Sequence, residues 1–224
     1  MAIDFLCRKV GMTQLFGEGG ECISVTVLEA APNRVLQKKT EAKEGYDALQ
    51  LAIGEKRKKV SSKAEIGHAA KGGAAAAPRY LRESRVDAKE LEGFQVGQEI
   101  RCDIFKPGQR VDVIGWSKGR GTQGVVKRHH FPAKAEAHGA HENFRHGGSN
   151  GPGSFPGHVI KGLRMAGRMG DEQVTVRNVE IVRVDAKKNL LMIRGAVPGR
   201  NDGIVRVRTA IKAPRPKQGP GGKK

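Results

Sequence analysis

The chain has 224 residues and a formal net charge of +18, because 41 Lys and Arg residues face 23 Asp and Glu residues. This excess indicates a polyanionic partner, which on charge alone could be a nucleic acid, an anionic membrane surface or an acidic protein. The sequence contains no run of about 18 apolar residues that could span a bilayer, and its N-terminus lacks the basic start and apolar stretch of a signal peptide. We therefore expect an intracellular protein.

The cysteine and glycine contents narrow the class further. Cys7, Cys22 and Cys102 are widely spaced among apolar neighbours. Three such cysteines predict neither a disulfide framework nor a paired-cysteine zinc site, so we expect buried thiols. Aromatic residues make up only 4% of the chain, whereas its 31 Gly and 10 Pro exceed what one compact domain needs. Part of the chain is therefore predicted to lie outside any core.

Alternating apolar residues predict a first hairpin. Ile23, Val25 and Val27 share one face of a strand over residues 22–27, and the glycine-rich residues 17–20 would turn this strand back on residues 12–16. Short strands without regular intervening helices favour an antiparallel barrel or sandwich over a doubly wound α/β fold. The further strand candidates are residues 34–37, 46–53, 99–105, 110–116, 173–184, 190–194 and 204–210.

Two stretches fall outside this strand pattern. The alanine-rich residues at about 61–92 are predicted to form a small helical insertion. The basic run at residues 56–59 before it is as readily a solvated surface as a phosphate contact. Residues 213–224 contain Pro, Gly and Lys with little apolar content, so we expect a flexible basic tail that is disordered or orders only on RNA.

Residues 117–170 separate the two groups of strand candidates and have a composition of their own. They hold nine basic residues against two acidic ones, Glu136 and Glu142, together with six of the seven histidines and frequent glycines. No apolar period of 2 or 3.6 continues beyond a few residues, so this segment is not expected to fold alone. Long structureless segments inside a domain are usually functional or disordered.

The chemistry of this segment suits RNA. Arg and Lys neutralise phosphates, and glycines let backbone N–H groups approach phosphate oxygens. Histidine rings, with Phe131, Phe144 and Phe155, can stack on unpaired bases, and imidazole can hydrogen-bond a 2′-hydroxyl. A mobile surface loop would explain charge and glycine equally well. The histidine density and the stiffening Pro152 and Pro156 favour a shaped RNA-binding insert.

Two nucleotide-binding motifs are matched only in part. Residues 119–124 fit the G-x-G-x-x-G dinucleotide pattern after a strand candidate. A Rossmann loop must be followed by a helix, but the segment at residues 125–131 is too short and too basic to form that helix before Pro132 interrupts it. Residues 157–162 are followed by Leu163 and lack the lysine and hydroxyl of a P-loop. Neither a dinucleotide nor nucleotide hydrolysis is therefore predicted.

Metal binding and catalysis are also disfavoured. His138 and His141 could meet His129 or His130, but no cysteine lies nearby and carboxylates are few. No Ser or Cys has a recognisable activating histidine and carboxylate around it. The sequence therefore predicts no catalytic residue, metal or cofactor. A cycling translation factor or RNA chaperone remains an alternative to a structural RNA binder.

Several blocks of sequence carry a family resemblance. They are residues 10–14 (Val-Gly-Met-Thr-Gln), 117–121 (Ser-Lys-Gly-Arg-Gly) with 124–128, 146–149 (His-Gly-Gly-Ser) through 156–157 (Pro-Gly), 174–176, 189–198 and, most specifically, 161–170 (Lys-Gly-Leu-Arg-Met-Ala-Gly-Arg-Met-Gly). Across nearly its whole length the chain resembles the bacterial large-subunit ribosomal protein three family.

The resemblance implies both a fold and a role. The fold would be mainly β, a six-stranded antiparallel translation-protein-type barrel formed by residues 1–116 and 171–212 and bearing a long irregular RNA-binding extension at 117–170. The protein would be a cytoplasmic, ribosome-bound structural constituent of the large subunit, neither an enzyme nor dependent on a cofactor. It would bind large-subunit ribosomal RNA near the 3′ region, nucleate assembly there and send the extension toward the peptidyl transferase centre. Large-subunit proteins fourteen and nineteen are the expected neighbours, with no membrane and no homo-oligomer.

Carried onto this sequence, the extension would turn at a tip near residues 149–156 and return over residues 161–170, while Trp116 would end the preceding strand. Some family members carry a methylated glutamine in the tip. This chain has Asn-Gly-Pro-Gly-Ser-Phe at residues 150–155, so no such methylation is expected. RNA contacts are predicted for Lys118, Arg120, Lys127, Arg128, His129, His130, Lys134, His138, His141, Arg145, His146, Ser149, Asn150, Ser154, Phe155, His158, Lys161, Arg164 and Arg168.

Overall fold

The computed structural model describes residues 3–17 and 19–212 and divides the chain into two compact units. Unit 1 consists of the described residues up to Trp116 and from Gln173 onward, and unit 2 is Ser117–Glu172. The predicted basic tail at residues 213–224 lies outside the described residues. No helix within the described ranges is long and apolar enough to cross a membrane.

Strands dominate the chain, and the mainly β class expected from the sequence is confirmed. In chain order the strands are β1 (Phe5–Phe16), β2 (Cys22–Glu29), β3 (Asn33–Lys39), β4 (Ala48–Glu55), β5 (Pro78–Arg85), β6 (Glu99–Ile100), β7 (Arg110–Trp116), β8 (Thr122–Gln123), β9 (Gly167–Arg168), β10 (Gln173–Asp185), β11 (Leu190–Arg194) and β12 (Ile204–Thr209). The α-helices are α1 (Glu41–Glu44), α2 (Lys63–Lys71), α3 (Ala88–Glu92) and α4 (Val125–His129), and short 3-10 helices occupy Lys58–Val60, Cys102–Ile104 and His141–Asn143.

Six antiparallel strands of unit 1 form a closed ring in the order β1-β12-β7-β10-β11-β2. β1 completes the ring because its first residues pair with β12 and the rest of it pairs with β2 as far as Phe16 and Cys22. The hairpin predicted from the glycine-rich residues 17–20 therefore exists. The strands predicted at residues 110–116 and 190–194 have the bounds of β7 and β11.

Alternating apolar side chains of these strands build the core of unit 1. Phe5, Val113, Ile181 and Leu191 are fully buried in one cluster. The ring of Phe5 meets that of Phe105 edge-on, with the centroids 5.8 Å apart, as the quadrupoles of two aromatic rings prefer. Complete burial of each such side chain contributes about 1.5–3 kcal/mol. One buried cluster therefore joins the ring of strands to residues outside it, such as Phe105.

A second sheet of unit 1, in the order β5-β4-β3-β6, includes the segment expected to form a helical insertion. Helix α2 does form there, and it begins with a capping box between Ser62 and Glu65. The residues that follow form β5, which pairs with β4 from Pro78 to Arg85. Its many charged residues obscured this strand in the sequence, but an edge strand tolerates them because one side faces solvent.

Two further expectations are corrected in unit 1. The strand predicted at residues 99–105 is only two residues long, because the 3-10 helix Cys102–Ile104 turns the chain and buries Cys102. Cys7 is buried too, and its burial raises the pKa of the thiol well above its usual value. Cys22 is exposed, against expectation, since it starts β2 next to the hairpin turn.

Candidate nucleic-acid interface

Unit 2 is held together at its base by hydrogen bonds between its two ends. The Ser117 N–H donates to the Glu172 carbonyl oxygen at 2.9 Å, and the Glu172 N–H donates to the Ser117 hydroxyl at 3.3 Å. Further along, the Arg120 N–H donates to Met169 and the Met169 N–H donates to Gly121, next to the antiparallel pair of β8 and β9. The incoming chain (residues 117–123) and the returning chain (residues 159–172) therefore run side by side here.

Gly170 allows the two chains to approach this closely. Its φ of 74° lies in the left-handed region, which side chains with a Cβ rarely adopt. A Cβ atom at Gly170 would also overlap the carbonyl oxygen of Lys118 and lie 3.2 Å from the Cα of Gly119. The sequence contains many glycines and gives no sign that this one is required.

Helix α4 links the incoming chain to the returning chain farther from the base. The Arg128 guanidinium donates to the Met165 carbonyl oxygen at 2.8 Å, and Nε2 of His129 lies 3.0 Å from the same oxygen. Gly167 leaves room for this arrangement, because a Cβ there would lie 2.6 Å from the guanidinium. Val125, at the start of α4, is buried. Arg128 and His129 thus help to build unit 2.

Among the described residues, the side-chain hydrogen bonds at the tip of unit 2 join residues close together in the chain. The Ser149 hydroxyl donates to the Gly151 carbonyl oxygen at 2.9 Å and accepts from the Gly151 N–H at 3.3 Å. Nδ1 of His158 lies 2.9 Å from the Pro156 carbonyl oxygen. Phe155 is 87% exposed and has no ring contact among the described residues. It is therefore free to stack on another ring.

All nineteen residues predicted to contact RNA lie in unit 2, and the structure distinguishes them by exposure. Arg128 and His129 are half-buried and already hydrogen-bonded to Met165. His141 lies in a 3-10 helix. The exposed members are Lys118, Arg120, Lys127, His130, Lys134, His138, Arg145, His146, Ser149, Asn150, Ser154, Phe155, His158, Lys161, Arg164 and Arg168.

The basic side chains of unit 2 differ from those of unit 1 in how they are paired. Within the described residues, no Lys or Arg of unit 2 forms an ion pair. Unit 1 pairs many of its cations, for example Arg8 with Glu29, Lys39 with Glu83 and Arg206 with Asp4. Unit 2 therefore presents basic side chains that no carboxylate among the described residues pairs with directly.

The returning chain also carries exposed apolar residues that the sequence analysis did not select. Val159, Ile160 and Leu163 are 49%, 56% and 41% exposed and flank Lys161 and Arg164. Apolar side chains interleaved with basic ones suit a surface that packs on a ribose or a base while neighbouring cations meet phosphates. The alternation of apolar and basic residues at 159–164 was the signal in the sequence that could have identified these apolar residues as part of the surface.

The other chemistries weighed for unit 2 find little support in its geometry. Helix α4 does follow the glycine pattern of residues 119–124, but it has five residues, and the nearby pair of β8 and β9 is antiparallel. A dinucleotide loop needs a longer helix packed on a parallel sheet. Among the described side chains, no group of three or more His, Cys, Asp or Glu residues could hold a metal ion.

Comparison with known proteins gives a consistent result. The family described as "Ribosomal protein L3" matches residues 86–189, a range that includes all of unit 2. The protein named large ribosomal subunit protein uL3 from Bacillus cytotoxicus is 50% identical over 214 residues, which are 95% of this chain and 99% of that protein. The uL3 proteins of Thioalkalivibrio sulfidiphilus and Pseudoalteromonas atlantica are each 48% identical over 213 residues, 95% of this chain and 99% and 100% of theirs. The chain belongs to the ribosomal protein L3 family.

Proposed function

We propose that the protein binds ribosomal RNA as a structural constituent of the large ribosomal subunit, with unit 2 as its main contact surface. Its family consists of ribosomal structural proteins, so the chain is not an enzyme, and it is a cytoplasmic, ribosome-bound protein of translation. One observation carries the RNA proposal. The exposed basic side chains of unit 2 have no ion-pair partner within the described residues.

Unpaired cations favour phosphate binding for an energetic reason. A cation that is already paired within the chain must lose that partner before it contacts RNA, whereas Lys118, Arg120 and Arg168 at the base of unit 2 have no ion-pair partner among the described residues. Each phosphate contact releases counterions from the RNA, and this release drives binding. Phe155 at the tip adds a stacking face of the kind that single-stranded RNA uses.

The proposal extends to the architecture that presents this surface. The closed ring of six strands would be a translation-protein-type barrel, a discontinuous domain formed by residues 1–116 and 171–212 with an insertion at about 61–92. Residues 117–170 would be its RNA-binding extension. The paired ends of unit 2 support this division, because an insertion between two strands must leave and re-enter a domain at neighbouring points.

The proposal also assigns a place in the subunit. The domain would bind large-subunit RNA near the 3′ region and nucleate assembly, and the tip at residues 149–156 would point toward the peptidyl transferase centre. Large-subunit proteins fourteen and nineteen would be neighbours, and the protein would not form homo-oligomers. The tip contains no glutamine, so mass spectrometry should find no methylated side chain there.

Removal of the extension tests the central claim. Ser117 and Glu172 are hydrogen-bonded neighbours, so residues 118–171 can be replaced by a two-glycine turn without stretching the chain. The full chain and this variant would be titrated with purified bacterial large-subunit ribosomal RNA over a range of salt concentrations. The log-log slope should fall in the variant by up to about 0.9 for each phosphate that it no longer neutralises.

A smaller removal of charge from unit 1 provides the control. Arg57, Lys58 and Lys59 are exposed and have no ion-pair partner within the described residues, and changing all three to Gln removes charge without touching unit 2. This control should bind with a slope much closer to that of the full chain. A deletion variant whose slope equals that of the full chain would refute unit 2 as the main RNA surface.

A further inference from the structure

A cavity in unit 1 is lined by residues outside the nineteen that were predicted to contact RNA. It has a volume of about 210 Å³, several times the roughly 30 Å³ that a water molecule occupies in the liquid. It lies beside β7, β10 and the residues just after β12. The lining residues are Asp112, Arg177, Asn178, Arg208, Ile211 and Lys212.

A β-bulge in β10 shapes this cavity. Val176 pairs with Val113 and Val179 pairs with Val111, so Arg177 and Asn178 together oppose the single residue Asp112. Asn178 takes a left-handed φ of 57°, which Asn tolerates better than most residues. Bulges of this kind redirect side chains and occur often beside functional sites. Here the bulge directs Arg177 and Asn178 toward the cavity.

Asp112 fixes two walls of the cavity with its own carboxylate. The side chain accepts from the Asn178 N–H at 2.9 Å and from the Ile211 N–H at 3.5 Å, and the residue is only 3% exposed. Asp112 is the one carboxylate among the lining residues, against three cations. The cavity therefore keeps an excess of positive charge after Asp112 is counted.

The three cations leave binding capacity unused. Arg177 and Lys212 are exposed, and neither has an ion pair with any described residue. Nε of Arg208 lies 4.0 Å from the Asp112 carboxylate, which is too long for a hydrogen bond, and this buried nitrogen has no acceptor within the described chain. The buried side-chain oxygen of Asn178 has no donor there either.

These unsatisfied groups specify a ligand that both accepts and donates hydrogen bonds. A phosphate accepts from guanidinium and ammonium groups but gives nothing to the Asn178 oxygen, and a protein carboxylate has the same limitation. One RNA nucleotide supplies a phosphate together with a 2′-hydroxyl that can donate. DNA supplies only the phosphate. Asn178 and Arg208 both line the cavity that would hold such a nucleotide.

We infer that this cavity is a second RNA-backbone site, in which Arg177, Arg208 and Lys212 bind a phosphate and Asn178 accepts from the adjacent 2′-hydroxyl. The inference rests on the proposed RNA-binding function and adds a site in unit 1 that distinguishes RNA from DNA. Because the site binds only the backbone, it reads no base sequence.

Charge removal at the cavity tests the phosphate contacts. The double variant Arg177→Gln with Lys212→Gln changes two exposed side chains and should fold normally. With purified large-subunit ribosomal RNA, its log-log salt slope should be lower than that of the unaltered protein by up to about 0.9, because the three cations of the site neutralise one phosphate. Lys187→Gln with Lys188→Gln removes the same charge from the exposed turn between β10 and β11 and should change the slope far less.

The outcomes separate this inference from the proposed function. An unaltered protein that does not bind the RNA would refute both. An unaltered protein that binds, with equal slopes for the two double variants, would refute the cavity site alone. The cavity site would also be refuted if the cavity variant bound RNA normally but no longer bound a glutamate-rich peptide, because a protein partner would then be its ligand.

Asn178→Gly tests the sugar contact, since glycine keeps the left-handed backbone and removes the amide. Poly(U) and poly(dU) are suitable probes because they differ in the 2′-hydroxyl and carry no sequence to read. The variant should bind poly(U) several-fold more weakly than the unaltered protein does, and poly(dU) equally well. Equal weakening toward both polymers would overturn the role of Asn178.

Discussion

At the scale of single residues, unit 2 contains groups that build the surface and groups that are free to bind. Arg128 and His129 look like RNA contacts in the sequence, yet both are bonded to Met165. Phe155 and the unpaired cations are available to a ligand. Substitutions of these two kinds should therefore have different effects. Substituting a residue that builds the surface should make unit 2 less ordered, whereas substituting a free residue should weaken RNA binding alone.

Gly170→Ala tests a residue that builds the surface. The left-handed φ costs a residue with a Cβ about 1–2 kcal/mol, and overlap with the Lys118 carbonyl oxygen adds to this cost. We expect the amides of Arg120 and Met169, which bond the two chains together, to exchange with solvent at least tenfold faster in the free protein, since about 1.4 kcal/mol corresponds to a factor of ten. Gly124→Ala is the control, because its Cβ would meet nothing within 4 Å. Equal exchange in the two variants would contradict this role of Gly170.

At the scale of elements, the sequence predicted those strands that are rich in apolar residues. β7 and β11 are short, mainly apolar segments and were predicted with their observed bounds, whereas β5 was missed because its charged residues mask the pattern. The candidate surface was located by composition alone. The link from α4 to Met165 was not, because Arg128 and Met165 are 37 residues apart, and no local pattern reports such a contact.

The second sheet contains an ion pair across β3 and β5 with a predictable pH dependence. Nζ of Lys39, at the end of β3, lies 2.7 Å from Oε1 of Glu83 in β5. The Tyr46 hydroxyl also donates a hydrogen bond to the Glu83 carboxylate. The hydrogen bond from Lys39, then that from Tyr46, lowers the pKa of Glu83 below its ordinary value of 4.5. A lowered carboxyl pKa stabilises the fold above the unfolded-state value, and this stability is lost as pH falls through the folded-state value.

Glu83→Gln should therefore lower the thermal midpoint of unfolding at neutral pH by a few degrees at most, because the pair is partly exposed. The difference from the unaltered protein should shrink as the pH falls below about 4.5. Glu55→Gln removes the same charge from the exposed end of β4 and should show a smaller difference. Scanning calorimetry between pH 3 and 7 makes the measurement, and a Glu83→Gln effect that grows toward low pH would contradict the assigned pair.

At the scale of the whole molecule, backbone hydrogen bonding is unevenly distributed along unit 2. The base joins distant parts of the chain through Ser117, Arg120 and Met169, while the tip has local contacts such as those of Ser149 with Gly151. Fixing the backbone of one residue costs roughly 1–2 kcal/mol. The local contacts at the tip offset little of that cost, so the tip should become rigid only when RNA supplies further contacts.

Hydrogen exchange along the full chain can test this gradient directly. Without RNA, the amides of Arg120 and Met169 should be protected, and those of residues 147–157 should exchange nearly as fast as in an unfolded chain. Adding large-subunit ribosomal RNA should slow exchange at residues 147–157 most, because ordering there is coupled to binding. Strong protection of these residues in the free protein would mean that the tip is ordered in advance. RNA would then bind a surface that already exists, and the entropy lost on binding would be small.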